Sequence, residues 1–94
     1  MSGSDDARSY LIECYWPGIT PRKHAGAARR AQAAASELRR QGGEVSFVAS
    51  ILLLDDETVF CLLDGKAADV RAVSEQAGVP FERILESLRI EAKQ

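Results

Sequence analysis

The sequence has no asparagine and only one histidine, and these shortages exclude several kinds of site. Acylphosphatase-like chemistry depends on an asparagine, so that class of enzyme is excluded. The two cysteines, Cys14 and Cys61, are far apart and form neither a CxxC pair nor a Cys/His zinc pattern. A CxxC metallochaperone, a zinc module and a disulfide scaffold are therefore excluded, and we expect reduced thiols in a cytoplasmic protein.

The chain also lacks an excess of charge and long apolar segments. Its net charge is only −2 over 94 residues, so it offers no basic field for nucleic acid or for anionic lipid. Apolar runs such as Ile51 to Leu54 are far too short to cross a bilayer, and Met1 to Ser9 has no apolar core for a signal peptide. We expect neither a nucleic-acid partner nor a membrane partner.

The first half of the chain predicts a strand, a tight turn and a helix. Alternation over Tyr10 to Tyr15 predicts the strand, and Trp16-Pro17-Gly18-Ile19 suits a type II turn. Thr20 is a good N-cap and Pro21 suits the first helical position. The Ala-rich segment that follows predicts a helix to about Arg40, close-packed through its small side chains.

The second half predicts a hairpin, a second helix and a final strand. Glu44 to Leu54 and Thr58 to Leu63 are the two strands of the hairpin, and Lys66 to Ala77 is the helix. The segment from about Arg83 to Ile90 fits either a helix or a strand. We interpret it as a strand, because the element order then becomes βαββαβ and the first strand does not remain an edge.

This order predicts an α+β, ferredoxin-like fold, in which two helices cover one face of a four-stranded antiparallel sheet. The first and third strands are central neighbours in this fold. A single domain is expected over residues 9–91, with a disordered tail at 1–8 and a short tail at 92–94. Cys14 and Cys61 should both point at the helices, either as buried core thiols or as a redox pair.

The face of the sheet opposite the helices should be apolar. A sheet face of this kind is rarely left in water, and the simplest cover is a second copy of the chain. We therefore predict a homodimer of the dimeric α+β barrel type, with sheet facing sheet. The residues assigned to this face are Leu11, Tyr15, Phe60 and Leu62, joined by Val48, Leu52 and Leu54 of the second strand.

A carboxylate on this open face is the best catalytic candidate. Glu13 lies between apolar positions, and in a cavity between two sheets it could transfer a proton, with Tyr15 and Asp64 as hydrogen-bonding partners. Phe60 would line the same ligand-binding surface. The alternative is that Glu13 forms an ion pair with an arginine at the rim, for which Arg89 is a candidate.

The start of the first helix offers a second set of candidates. Arg22, Lys23 and His24 crowd a helix N-terminus, where a bound carboxylate or phosphate would relieve the unfavourable charge. In the alternative, His24 packs on Ile19 in a hydrophobic staple and no ligand is needed. Trp16 either overhangs a ligand site or plugs the helix start.

Three stretches resemble a family of small bacterial ferredoxin-like domains of unknown function that includes nickel-binding, nickel-sequestering proteins. They are Tyr10 to Gly18, Val48 to Leu63 and Ala77 to Ile84. The resemblance implies a dimeric ferredoxin-like fold and nickel as a possible ligand. Many members of that family carry histidines in the second strand and second helix, where this chain has Ala49 and Val73.

Only His24 could supply an imidazole to a metal here, so it is the one metal-ligand candidate. Two functions follow as hypotheses. The first is a dimeric binding protein that sequesters nickel or a small molecule. The alternative is a cofactor-free cyclase, isomerase or monooxygenase that uses Glu13.

Overall fold

The computed structural model describes residues 8–92. Its six elements follow the predicted βαββαβ order. Most of each predicted tail lies outside the described residues, although the first strand already includes Arg8, which was assigned to the N-terminal tail. The elements are β1 Arg8–Tyr15, α1 Pro21–Arg40, β2 Val45–Leu53, β3 Thr58–Gly65, α2 Ala67–Ala77 and β4 Phe81–Ser87.

The four strands form one antiparallel sheet in the order β2-β3-β1-β4. As predicted, β1 and β3 are the central pair. Both helices pack on the same side of the sheet, α1 against β2 and α2 against β1 and β3. Within residues 8–92, neither helix is both long and apolar enough to cross a membrane.

Helix α1 begins where the capping pattern predicts. The Thr20 side chain accepts a hydrogen bond from the Lys23 backbone N–H at 3.1 Å, and Pro21 occupies the first helical position, where no N–H is required. Small side chains on the inner face allow the helix to lie close to the sheet. The buried ones are Ala27, Ala31, Ala34 and Ala35.

The core lies between the helices and the sheet. Ile12 of β1 and Leu63 of β3 are almost fully buried there, as are Val70 and Val73 of α2. Cys14 and Cys61 are buried among them, and both are free thiols. The prediction that both cysteines face the helices is confirmed.

Strand β4 is a strand, as we interpreted it, but its bounds differ from the prediction. It begins at Phe81, two residues earlier than expected, and ends at Ser87. Among the described strands it pairs with β1 alone, and the pairing runs from Cys14 opposite Phe81 to Ser9 opposite Ser87, close to the start of β1. The chain therefore leaves the sheet before Ile90, whose side chain is 89% exposed.

A β-bulge in β2 corrects the predicted open face. Val48 is an extra residue between Phe47, which pairs with Leu63, and Ala49, which pairs with Leu62. One extra residue exchanges the two faces for the rest of the strand. Leu52, predicted on the open face, instead packs against the core, and Leu54 lies beyond the end of the strand. Ile51 and Leu53 take their places on the open face.

Candidate functional site

The open face of the sheet carries a continuous apolar strip across all four strands. Leu11 of β1 lies between Leu62 of β3 and Leu85 of β4, and Ile51 of β2 lies beside Phe60 of β3. Ile51 is 61% exposed in the single chain. No element among residues 8–92 covers this strip, because both helices lie on the other side.

Glu13 lies on this face but is already paired. Its Oε1 accepts hydrogen bonds from Arg83, at 2.7 Å from Nε and 2.5 Å from Nη2. Arg83 lies directly opposite Glu13 on β4. The rim ion pair was therefore the better of the two interpretations, but its partner is Arg83 and not Arg89. The sequence misassigned it because the early start of β4 determines which arginine faces Glu13.

Asp64 does not join Glu13 and Tyr15 in one site. Asp64 lies at the opposite end of the sheet, opposite Ser9, whose hydroxyl donates to it at 2.7 Å, and Arg89 donates to it at 2.9 Å. Tyr15 is at the far end of β1 and is half exposed. At roughly 3.4 Å per residue, the backbone positions Ser9 and Tyr15 are about 20 Å apart. The three catalytic candidates therefore do not converge within one chain.

The turn before α1 is tied to the hairpin between β2 and β3. The Trp16 backbone N–H donates to the carbonyl oxygen of Glu57 at 2.7 Å, and the Gly18 N–H donates to the Glu57 carboxylate at 2.9 Å. Glu57 has a φ of 50°. The Trp16 ring packs against the core, as expected if it plugs the helix start. Nothing in the local sequence predicts Glu57 as the partner, because the contact spans two loops.

The two cations at the helix start, Arg22 and Lys23, lie at exposed positions. Arg22 is exposed, and Lys23 points its ammonium group toward the Gly18 carbonyl oxygen at 3.4 Å. The Lys23 backbone N–H is already bonded to Thr20. The anion site at this helix end therefore stays a prediction.

A chain of polar side chains crosses the interface between α1 and the sheet. His24 Nε2 is hydrogen-bonded to the Ser50 hydroxyl at 2.7 Å, and the same hydroxyl contacts the Cys61 Sγ at 3.6 Å. Ser50 lies directly opposite Cys61 in the sheet. Sequence reasoning missed Ser50, since uninterrupted alternation places it on the open face, and only the bulge at Val48 turns it toward the helix.

The two thiols differ in acidity because they interact with each other. Hydrogen bonding with Cys61 raises the pKa of the Cys14 thiol, and burial raises it further. For Cys61, hydrogen bonding with Cys14 lowers the pKa to about 7; burial opposes this shift and the Ser50 hydroxyl supports it. Cys61 is thus the thiol that ionises first, and its thiolate would be stabilised by two neutral hydrogen-bonding groups.

An open groove of about 400 Å³ lies between α1 and β2. Its one charged lining residue is Arg39, which donates to the Val45 carbonyl oxygen at 2.8 Å and to the Ser36 hydroxyl at 3.1 Å. Through these bonds the guanidinium group joins the end of α1 to the start of β2. The groove therefore offers no charged group that needs a ligand.

The sheet order, the strand directions and the two helices on one face define a protein of the ferredoxin-like α+β class. Residues 10–86 match the model of the SCO4226-like family, described as nickel responsive protein SCO4226-like, and the chain belongs to this family. The family resemblance seen in the sequence is thereby confirmed.

The crystal structure of SCO4226 from Streptomyces coelicolor A3(2) has a similar fold, with a TM-score of 0.71. The two chains are 23% identical over 89% of this chain and 99% of that one. No curated protein matches the chain.

The residues that the structure describes do not form a nickel site within one chain. Within residues 8–92 there is no group of three or more His, Cys, Asp or Glu side chains placed to hold a metal ion. His24, the one imidazole, uses its Nε2 to bond Ser50. The carboxylates of Glu13 and Asp64 are paired with arginines. His24 as a metal ligand therefore gains no support from its surroundings.

Proposed function

We propose that the protein is a homodimeric, non-enzymatic binding protein that sequesters a metal ion or small molecule, and that its two copies pair through their open sheet faces. The observation that carries this proposal is the uncovered apolar strip, which includes Leu11, Ile51, Phe60, Leu62 and Leu85. A small domain rarely leaves such a strip in contact with water.

A second copy suits this face better than an unrelated partner for two reasons. A two-fold axis near the central pair, β1 and β3, would place each strip against its equivalent. The charged groups at the two ends of the sheet are already neutralised within the chain, as Glu13 with Arg83 and Asp64 with Arg89. Two identical faces can therefore approach without opposing unpaired carboxylates.

We expect the apolar strip to supply enough area for a stable pair. At about 25 cal/mol per Å² of apolar surface, covering a few hundred Å² on each copy contributes several kcal/mol. Part of this is offset by the loss of translational and rotational freedom on association. From the apolar contribution and this opposing cost, we expect a dimer that forms at micromolar concentration.

The family description makes nickel the first ligand to test. Because the described part of one chain lacks a complete ligand set, we propose that nickel is held by groups from both subunits together. Nickel binding should therefore depend on the dimer. The enzyme alternative is less well supported, because Asp64 lies at the other end of the sheet from Tyr15 and because Glu13 is held by Arg83.

The experiment combines sedimentation with nickel calorimetry on tag-free protein, since a histidine tag would itself bind nickel. We expect a dimer at micromolar concentration and a saturable heat of nickel binding that disappears on dilution to monomer. A monomer at every accessible concentration would refute the pairing of sheet faces. A dimer that gives no heat with nickel would leave a small molecule as the ligand class.

A further inference from the structure

We propose that Cys61 and Cys14 form an oxidation site for small hydroperoxides, in which Cys61 is attacked first and Cys14 then closes a disulfide across β1 and β3. This site lies on the helix side of the sheet, so it is independent of the proposed dimer. Three features of the structure carry it: the placement of the thiols, the neighbours of Cys61 and the route to His24.

The two thiols are placed to react with each other. They lie on adjacent antiparallel strands, where Cys14 is opposite Val59 and Cys61 is opposite Ile12, so the two cysteines are diagonal neighbours on one face. The Cα atoms of such a diagonal pair are about 7–8 Å apart, slightly more than a disulfide usually spans, so closing the bond requires a small movement of the backbone. Both thiols are free and buried, and they interact by hydrogen bonding. A disulfide between Cys14 and Cys61 should therefore form more readily than a disulfide with a thiol of another molecule.

Cys61 has the surroundings of the reactive partner. The Ser50 hydroxyl lies 3.6 Å from its sulfur, and hydrogen bonding with Cys14 also lowers the pKa of Cys61. Both groups stabilise a thiolate, which is the form that attacks a peroxide. Among the described residues, Cys61 is the one group that hydrogen-bonds with Cys14, and Glu13 and Glu82 oppose the ionisation of Cys14. The order of attack follows from this difference.

A polar route connects the buried pair with the surface. From Cys61 it passes through the Ser50 hydroxyl to the imidazole of His24, which is half buried on the first turns of α1. Cys61 itself is 6% exposed. A hydroperoxide is small enough to reach such a sulfur during local opening of the structure.

The chemistry balances in two steps. In the first, the Cys61 sulfur forms an S–O bond as the peroxide O–O bond breaks, and the leaving oxygen takes up the thiol proton as water or alcohol. In the second, the Cys14 sulfur attacks the sulfenic acid of Cys61. The S–S bond forms, the S–O bond breaks, and the hydroxyl leaves as water with the Cys14 proton. Two electrons pass from the thiols to the peroxide, and a low-molecular-weight thiol reverses the change.

The test uses the whole chain and hydrogen peroxide. We expect the mass to fall by two hydrogen atoms, both thiols to become unreactive to iodoacetamide, and peptide mapping to join the Cys14 and Cys61 peptides in one molecule. A reducing thiol should restore both. In Cys14→Ser, dimedone should trap a sulfenic acid at Cys61, whereas Cys61→Ser should give almost no adduct at Cys14.

Ser50→Ala should slow the oxidation of Cys61 roughly tenfold, because a thiolate loses a hydrogen bond. Ser50→Thr should restore the rate, and Ser46→Ala on the same strand is the matched control. Retention of both thiols at peroxide levels that oxidise free cysteine would overturn the proposal, as would equal trapping at the two cysteines. If a cysteine variant fails to fold, peptide mapping of the unaltered chain decides the question alone.

Discussion

Replacing Ile51 with glutamate should separate the proposed dimer while leaving each subunit folded. Ile51 is on the open face and 61% of it is exposed in the single chain, so the fold itself depends little on it. In a sheet-to-sheet dimer the same side chain would be buried, close to Phe60 of its own subunit. The substitution therefore places a carboxylate where the dimer needs an apolar surface.

The size of the effect can be worked from this exposure. Full burial of an isoleucine side chain contributes about 2 kcal/mol, so burial of the exposed 61% contributes about 1.2 kcal/mol. Both copies change in a two-fold dimer, which gives about 2.4 kcal/mol and a dimer roughly 50-fold weaker. Desolvation of two carboxylates adds to the loss. We expect Ile51→Glu to be monomeric at concentrations where the unaltered chain is a dimer.

Sedimentation equilibrium over a range of concentrations measures this dissociation constant directly. Ala33→Glu is the matched control, because it adds the same charge at an exposed position of α1 on the other side of the sheet. Circular dichroism and thermal unfolding of both variants check that the subunit fold is intact. A folded Ile51→Glu variant that dimerises as tightly as the Ala33→Glu variant would show that the strip is not the interface.

The remaining predictions concern the stability of the fold, measured by urea unfolding. Thr20→Ala should lower the free energy of unfolding by about 1 kcal/mol, because the Lys23 N–H loses its capping bond; Thr20→Ser should retain most of it. Leu63→Ala should cost about 2–5 kcal/mol, since Leu63 is only 1% exposed and the cavity lies between sheet and helices. Gly65→Ala should cost more than about 1 kcal/mol, because a Cβ there would meet the Glu44 carbonyl oxygen and approach the Val45 Cα to 2.7 Å. Gly26→Ala in α1 meets nothing closer than 3.7 Å, so it should be neutral or stabilising, and the reverse order of these two glycine variants would contradict the reasoning.

Most of the fold could be predicted because local signals and the global arrangement agree. The Thr20-Pro21 pair predicted the start of α1. The βαββαβ order then predicted a four-stranded sheet with β1 and β3 at its centre. The last strand was harder to predict, because Phe81 to Ile90 satisfies two periodicities at once. Its bounds are determined by how far β1 extends beside it, which is a property of the folded sheet and not of the segment.

The candidate sites were less predictable because each depends on contacts between distant segments. Glu13 could be placed on the open face, but its partner depended on where β4 begins, and so Arg83 was missed. The role of Glu57 depended on two loops meeting. Ser50 was missed because a single inserted residue, Val48, reverses the alternation of β2. Periodicity assigns faces correctly only as far as the first bulge.

The bulge also explains how one sheet can carry two independent properties. Without the extra residue, Leu52 would join the open face and Ser50 would leave the thiols for solvent. With it, Ile51 extends the apolar strip proposed for dimerisation, and Ser50 reaches both His24 and Cys61 on the opposite side. A bulge disrupts the hydrogen-bonded ladder locally, and this loss has to be offset elsewhere in the structure. Here the bulge places an apolar side chain on the open face and a hydroxyl on the helix side. The pairing surface and the thiol site therefore depend on one local feature of β2, even though they share no side chain.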